Sequence, residues 1–234
     1  MKFEEYIKEN EISQPRTPQE YVDWFKEKLA ITKTLKEELE TQNLLHEGIA
    51  KKFYEELFPL YLLLQNKLVE WDRIKVKPIM SNPPYDVEVL TCREDIPNYL
   101  EITVTDFDEA EKARMKYHLN NVLAGNVLIK RDEKTGKKIS VIDNEAHRCE
   151  DINQKVKERI IERINDKMTK SPPHNTALLV YFDDSIAFCH DKANSKIKMN
   201  SFLDSITIQW QNKFVALYVV GASGESFYER RRVG

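Results

Sequence analysis

PPYDVEVLTCREDIPNYLEITVT, residues 83–105, carries the most informative pattern in this chain. It contains two runs rich in β-branched and aromatic residues, 85–91 and 98–105, which predict two neighbouring strands. Asp86 opens the first run, and Glu101 lies in the middle of the second. Because side chains alternate between the two faces of a strand, we expect both carboxylates on one face. The alternative is an ordinary polar residue in each case, at a turn for Asp86 and on a water-facing strand for Glu101.

The periodicity of the remaining chain predicts helices before this stretch and a mixture of strands and helices after it. Helices are expected over about 18–42 and 44–68, with a kink or a break at Pro59. TALLVYF, residues 176–182, is apolar without alternation, which favours a buried central strand. The other predicted segments are a strand in 73–80, a helix over 108–123, a hairpin in 125–143, a helix over 147–170, a short apolar run at 185–189, a helix around 200–211 and an apolar run at 214–222. The tail, 228–232, is a small basic cluster, and its alternative interpretation is a solvated terminus.

These elements indicate an α/β (α+β) fold with a mixed central sheet flanked by helices. We divide the chain into an N-terminal helical section, 1–43, and an α/β domain, 44–234. The domain carries an insert at about 106–146.

Composition limits the classes of function. The chain has 234 residues, 32% of them charged, and a net charge of −3. It therefore lacks the excess of basic residues that is typical of proteins with an extended nucleic-acid-binding surface. Any nucleic-acid contact would come from a local patch, and a small molecule or a protein is an equally compatible partner. Three widely spaced cysteines without a CxxC pair, and a start without an apolar signal region, favour a reducing, cytoplasmic location. No apolar stretch is long enough to cross a bilayer, so no membrane contact is expected.

A third acidic residue, Glu56, lies on the apolar side of the helix expected over 44–68. It falls within the arc formed by five residues at three- and four-residue spacing: Ile49, Phe53, Leu57, Leu60 and Leu64. A carboxylate there is costly unless it is paired or binds a cation. The alternative is a boundary residue whose head group reaches water. If Glu56, Asp86 and Glu101 converge at one end of the sheet, their oxygens suit Mg²⁺ or Mn²⁺.

The order of these parts resembles the PD-(D/E)xK nuclease superfamily, the restriction-endonuclease-like proteins. A helix bearing a glutamate comes first, then three strands with an aspartate at the second and a glutamate on the third, then a helix and a buried strand. Pro84-Tyr85-Asp86 corresponds to the aspartate motif, and Glu101-Ile102-Thr103 corresponds to the ExK motif. The resemblance covers residues 44–105 and 147–182, and it implies a restriction-endonuclease-like core.

Two features depart from the superfamily pattern. Thr103 stands where a lysine is usual, and Tyr85 separates the proline from Asp86. Some members carry that lysine on the following helix, where Lys167 is the candidate in this chain, with Lys170 next to it. The alternative role of Lys167 is to complement the dipole at a helix C-terminus. The resemblance thus implies a catalytic set of four residues: Asp86, Glu101, Thr103 and Lys167.

The activity implied by the resemblance is divalent-metal-dependent hydrolysis of phosphodiesters in a nucleic acid. Basic residues concentrate over 147–170 and could contact phosphates, but interleaved acids also suit a solvated helix face with i,i+4 pairs. The alternative function is a catalytically inactive nuclease-like fold that acts as a binding or oligomeric interaction protein, with a homodimer formed through the N-terminal helices. Since neighbouring unpaired carboxylates repel each other, Glu101→Gln is expected to raise the melting temperature of the metal-free protein.

Overall fold

The computed structural model describes residues 5–34, 48–105, 126–132, 135–143, 149–184, 192–206 and 210–232. Within them the helical elements are α1 (Glu9–Ile12), α2 (Pro18–Thr34), α3 (Gly48–Lys52), a π-helical segment (Phe53–Leu57), α4 (Phe58–Lys67), α5 (Cys149–Met168), α6 (Lys192–Ser205) and a 3₁₀ turn (Trp210–Asn212). Across the described ranges, no helix is both long and apolar enough to cross a membrane.

In the described ranges the strands form a six-stranded sheet and a separate pair. They are β1 (Lys75–Pro78), β2 (Val87–Leu90), β3 (Tyr99–Val104), β4 (Asn126–Arg131), β5 (Lys138–Asp143), β6 (Thr176–Phe182), β7 (Ala216–Gly221) and β8 (Phe227–Arg231). The larger sheet has the order β1-β2-β3-β6-β7-β8. Strands β3, β6 and β7 are parallel, and the other pairings in this sheet are antiparallel. The expected α/β fold with a mixed sheet flanked by helices is confirmed.

Side-chain alternation gives the larger sheet two buried faces. On β6, Ala177 and Leu179 belong to a core shared with α2, α3 and α4, whereas Leu178 and Val180 belong to a second core shared with α5 and α6. Both faces of β6 are therefore covered, and the strand lies between β3 and β7. The prediction of a buried central strand over 176–182 is confirmed.

The N-terminal helices belong to the first of these cores. A capping box begins α2: the Glu20 N–H donates to Thr17 Oγ1 at 3.3 Å, and the Thr17 N–H donates to Glu20 Oε2 at 2.8 Å. Tyr21 and Phe25 are fully buried, and the Phe25 ring stacks on Phe53 with centroids 4.6 Å apart. The apolar side of α2 is thus packed within the chain. A homodimer through the N-terminal helices stays a prediction.

The break expected at Pro59 takes the form of a π-helical turn. Proline has no N–H, so it cannot donate to the carbonyl four residues earlier as an α-helix requires. The helix widens just before it, and the Phe58 N–H donates to the Phe53 carbonyl, five residues back. The widened turn, Phe53–Leu57, carries Glu56. Single π-helical turns are rare in proteins, and those that do occur are often at functional sites.

Most of the other predicted elements are present. Three strands lie within 73–105, a hairpin lies within 125–143, and the helix over 147–170 is α5. The helix predicted around 200–211 is wrong in its position, because α6 covers Lys192–Ser205 and its apolar periodicity is too weak to indicate where it begins. The remaining predictions, for 35–42, 44–47, 108–123 and 185–189, lie outside the described residues.

The interpretation of the basic tail as a solvated terminus is wrong. Residues Phe227–Arg231 form β8, which pairs with β7. The strand is held by ionic contacts. Lys67, only 2% exposed, donates to Glu229, and Arg230 donates to Asp204 at 2.7 Å. Periodicity in a charged segment does not reveal such contacts, since they depend on distant partners.

Candidate functional site

Asp86 lies where β3 extends beyond the start of β2. Strand β2 begins at Val87, which pairs with Leu100. One residue earlier, the Asp86 N–H donates to the Leu100 carbonyl at 2.8 Å, and the Asp86 Oδ2 accepts the Ile102 N–H at 2.7 Å. The same register sets Asp86 opposite Glu101, and residues opposite each other in an antiparallel pair point to the same face. The expected pairing of the two acidic strands is confirmed.

Glu101 is held in the interior by two lysines from one helix end. It is 4% exposed, and it faces α5 because its neighbours Leu100 and Ile102 face the opposite core. Its Oε1 accepts hydrogen bonds from Lys167 Nζ and from Lys170 Nζ, the second at 3.1 Å. Lys167 lies in the last turn of α5, and Lys170 follows just after the helix. The buried carboxylate is therefore neutralised by ammonium groups that arrive from a distant part of the sequence.

Glu56 approaches the same group of charges from the π-helical turn. Its side chain is 26% exposed, and its Oε2 accepts a hydrogen bond from Lys52. Glu56 also interacts electrostatically with Asp86 and with Lys167. The structure thus brings the three predicted metal ligands within electrostatic range around Asp86.

The pKa of Asp86 is raised to about 7. Burial is the main cause, followed by the negative charges of Glu56 and Glu101, while the Ile102 N–H and the Lys167 ammonium act in the opposite direction. The pKa of Glu56 is also raised, because burial outweighs its pairing with Lys52. The acids therefore favour additional positive charge, either a proton or a cation, close to Asp86.

Each of the three carboxylates accepts its hydrogen bonds through one of its two oxygens. Among the described residues, no hydrogen bond reaches Glu56 Oε1, Asp86 Oδ1 or Glu101 Oε2. In this part of the chain, no three His, Cys, Asp or Glu side chains converge closely enough to enclose a metal ion. The carboxylates therefore suit an ion that binds one or two protein carboxylates and keeps most of its water ligands, as Mg²⁺ usually does.

Thr103 is buried, two residues after Glu101 on the same face of β3. It adds a hydroxyl to the site, while the cations come from α5. Sequence inspection missed two further participants, the Lys52 side chain and the Ile102 N–H. The i,i+4 spacing of Lys52 and Glu56 is a signal that could have found the first. A backbone donor leaves no signal in the sequence.

The exposed side of α5 carries local pairs of opposite charge or polarity. Arg163 donates to Asp166 at 3.4 Å, and Gln154 donates to Glu158 at 2.9 Å. This is the pattern of a solvated helix face. Of the basic residues over 147–170, Lys167 is the one whose ammonium reaches the buried acid from within the helix.

The sequence matches no known protein-family model. No curated protein and no solved structure matches it either. A function for this chain therefore has to be argued from the geometry and the electrostatics of its own side chains.

Proposed function

We propose that the chain hydrolyses phosphodiester bonds of nucleic acid in a divalent-metal-dependent reaction at Asp86, Glu101 and Lys167, with Glu56 beside them. The observation that carries the proposal is the hydrogen bond from Lys167 to the buried Glu101, on the sheet face that Asp86 shares. Two carboxylates and an ammonium group on one face supply the residue types that such hydrolysis needs.

The topology supports the resemblance to the PD-(D/E)xK superfamily. The elements follow one another in the order that the resemblance implies: a helix with Glu56, three antiparallel strands, helix α5 and the parallel strand β6. The hairpin β4–β5 is an addition to that order. The lysine missing at Thr103 has a substitute in Lys167. The proposal does not need a lysine on β3, because a helix end can deliver the same charge to the same carboxylate.

Each residue has a distinct role in the proposed reaction. When bound, a divalent ion supplies Lewis acidity toward the phosphate. Asp86 and Glu101 would hold it, and Glu56 would add negative charge beside them. The Lys167 ammonium would orient the attacking water and offset the negative charge that develops on the phosphate. The Thr103 hydroxyl would hydrogen-bond a water within the site.

The proposed setting is the cytoplasm. Cys92 is an exposed free thiol, and such thiols persist in reducing compartments.

The proposal is tested by incubating the purified chain with supercoiled plasmid, single-stranded circular DNA and RNA, each with Mg²⁺, Mn²⁺ or EDTA. We expect cleavage with the metals, none with EDTA, and at least a 100-fold loss in Asp86→Asn. Glu162→Gln, an exposed substitution on α5, should cleave as the wild type does. A chain that leaves all three substrates intact and forms a stable dimer in light scattering would instead be an interaction protein.

A further inference from the structure

The outer face of β1, β2 and β3 leads to the two carboxylates. On these strands one set of residues is buried against the helices: Val76, Val87, Val89, Leu100 and Ile102. The residues between them point to the opposite face, where Lys75 and Leu90 are exposed and Tyr99 is half-buried. Asp86 and Glu101 belong to this opposite face. A ligand lying on the exposed part of this face, over β1 and β2, would therefore approach Asp86 along the strands, with Glu101 buried beyond it.

Two tyrosine rings lie directly beside the carboxylates. Tyr85 precedes Asp86, and Tyr99 precedes Glu101 by two positions on the same face of β3. Their ring centroids are 4.4 Å apart, with an angle of 44° between the ring planes. Both side chains are half-buried, so part of each ring is available to a ligand. An aromatic contact between β3 and the segment that precedes β2 stabilises the fold by itself, and any further role has to come from its surroundings.

Tyr99 lines a groove of about 880 Å³ that also has basic side chains in its wall. Arg73, Arg93 and His174 line it together with Leu90. A second groove of about 570 Å³ shares Arg93 and His174 with the first and adds two arginines: Arg231 and Arg232.

The charge of the two grooves differs in sign from that of the whole chain. Four arginines line them against three acids, Glu88, Glu94 and Asp95. Asp95 is engaged by Arg93 at 2.6 Å, and Glu88 is engaged by Lys77 at 3.3 Å. Two of the arginines are engaged as well, since Arg93 pairs with Asp95 and Arg231 donates to Glu229 at 2.6 Å. Arg232 and Arg73, which is 87% exposed and 3.8 Å from Asp72, give the grooves a local positive charge, which suits an anionic ligand although the net charge of the chain is −3.

We infer that the Tyr85–Tyr99 pair stacks an unpaired base of a single-stranded nucleic acid, whose backbone lies along the grooves past Arg73 and His174. The inference rests on the proposed function and names its substrate class. Basic grooves combined with aromatic rings bind single strands, because each base offers a face for stacking. In a duplex the bases are stacked on each other and are not available to the rings.

The test is a binding assay with the full chain in EDTA, so that nothing is cleaved. Fluorescein-labelled dT15 and rU15 are compared with a 15-base-pair duplex by anisotropy at fixed salt. We expect tighter binding of both single strands than of the duplex. Tyr85→Ala should weaken single-strand binding by roughly 5- to 100-fold and leave duplex binding unchanged. Tyr85→Phe keeps the ring and should bind as the wild type does.

An oligonucleotide with abasic positions separates stacking from a structural effect. The wild type should bind it as weakly as Tyr85→Ala binds dT15, and Tyr85→Ala should lose nothing further. Tyr99→Ala should also weaken single-strand binding and leave duplex binding unchanged, and Tyr99→Phe should bind as the wild type does. Melting curves check that Tyr99→Ala is folded. Equal loss on single strand and duplex, or no loss in Tyr85→Ala, overturns the inference, as does a wild type that binds neither dT15 nor rU15. Metal-dependent cleavage without selectivity for single strands removes only this inference, whereas selective binding without cleavage removes the proposed hydrolysis.

Discussion

Lys167 and Glu101 join the end of helix α5 to the middle of strand β3 by a buried hydrogen bond between residues 66 positions apart in the sequence. Glu101 is 4% exposed, and Lys170 donates to the same oxygen. The glutamate is thus neutralised by protein groups even without a metal ion. This pairing changes what a charge-removing substitution at Glu101 should do.

Glu101→Gln should destabilise the metal-free protein, by roughly 1 to 3 kcal/mol. The substitution leaves two lysines without their carboxylate. The stability lost by breaking this ion pair exceeds the stability gained by removing the repulsion between Glu101 and Asp86. The sequence alone predicts the opposite sign, because it does not show that Glu101 is paired with two lysines. Thermal and urea denaturation in EDTA measure the change, with Glu162→Gln as the exposed control. A higher melting temperature for Glu101→Gln would contradict the pairing.

Because of Asp86, the free energy of unfolding should decrease as the pH rises through the acid range. Its pKa is 3.8 in an unperturbed chain and about 7 in the fold, so between these values the folded state holds a proton that the unfolded state has lost. The ionisation of Asp86 therefore lowers the free energy of unfolding, an effect that is absent below pH 3.8 and complete above about pH 7. Asp86→Asn removes it and can still accept the Ile102 N–H.

The comparison of Asp86→Asn with the wild type in EDTA measures this contribution. The variant should gain about 1 to 2 kcal/mol relative to the wild type between pH 4 and pH 7, since solvent screens a half-buried group. Urea denaturation at several pH values gives the difference. A gain that does not change with pH would mean that Asp86 titrates normally.

Divalent cations should raise the melting temperature of the wild type. A cation near Asp86 offsets its repulsion by Glu56 and Glu101, and binding to the folded state alone stabilises by about 2.7 kcal/mol at 100-fold excess over the dissociation constant. Melting curves with EDTA, Mg²⁺ and Mn²⁺ test this, and Asp86→Asn should lose the response. A wild-type curve that is the same in all three conditions would exclude the metal site.

Glu229→Ala should destabilise the protein by about 2 to 4 kcal/mol. Glu229 on β8 accepts a hydrogen bond from Lys67, which is 2% exposed, and removing one partner of a buried pair leaves a desolvated charge. Glu70, which also accepts from Lys67 at 2.8 Å, retains part of the stabilisation. Urea denaturation measures the loss, and Glu162→Ala serves as the exposed control. A change within about 0.5 kcal/mol would show that the pair contributes little.

The sequence predicts the central part of the fold because the relevant signals are local. Alternation in 85–91 and 98–105 predicts the paired strands, and the unbroken apolar run over 176–182 predicts the central strand. Strand β8 escapes prediction because its charged side chains are satisfied by Lys67 and Asp204, from distant segments. Helix α6 is misplaced because its apolar residues follow no clear period.

The candidate site is less accessible to sequence reasoning than the sheet. Glu56, Asp86, Glu101 and Lys167 can each be selected as candidates from residue type and predicted element. Their grouping depends on how far β3 extends beyond β2 and on where α5 ends, and neither is encoded in a short pattern. The π-helical turn at Glu56 is likewise a consequence of Pro59 that a uniform helical period does not include.

Single-turnover cleavage measures whether Lys167 acts with Glu101 and Asp86 in metal-dependent hydrolysis. Wild type, Lys167→Met and Lys155→Met are compared with Mn²⁺ on a labelled single-stranded substrate. Lys155 is exposed on the same helix, about 18 Å away along its axis. We expect a 100- to 1,000-fold slower rate for Lys167→Met and an unchanged rate for Lys155→Met. Equal rates for all three proteins would show that Lys167 takes no part in the reaction, and equal cleavage by the wild type in EDTA would show that the reaction needs no metal ion.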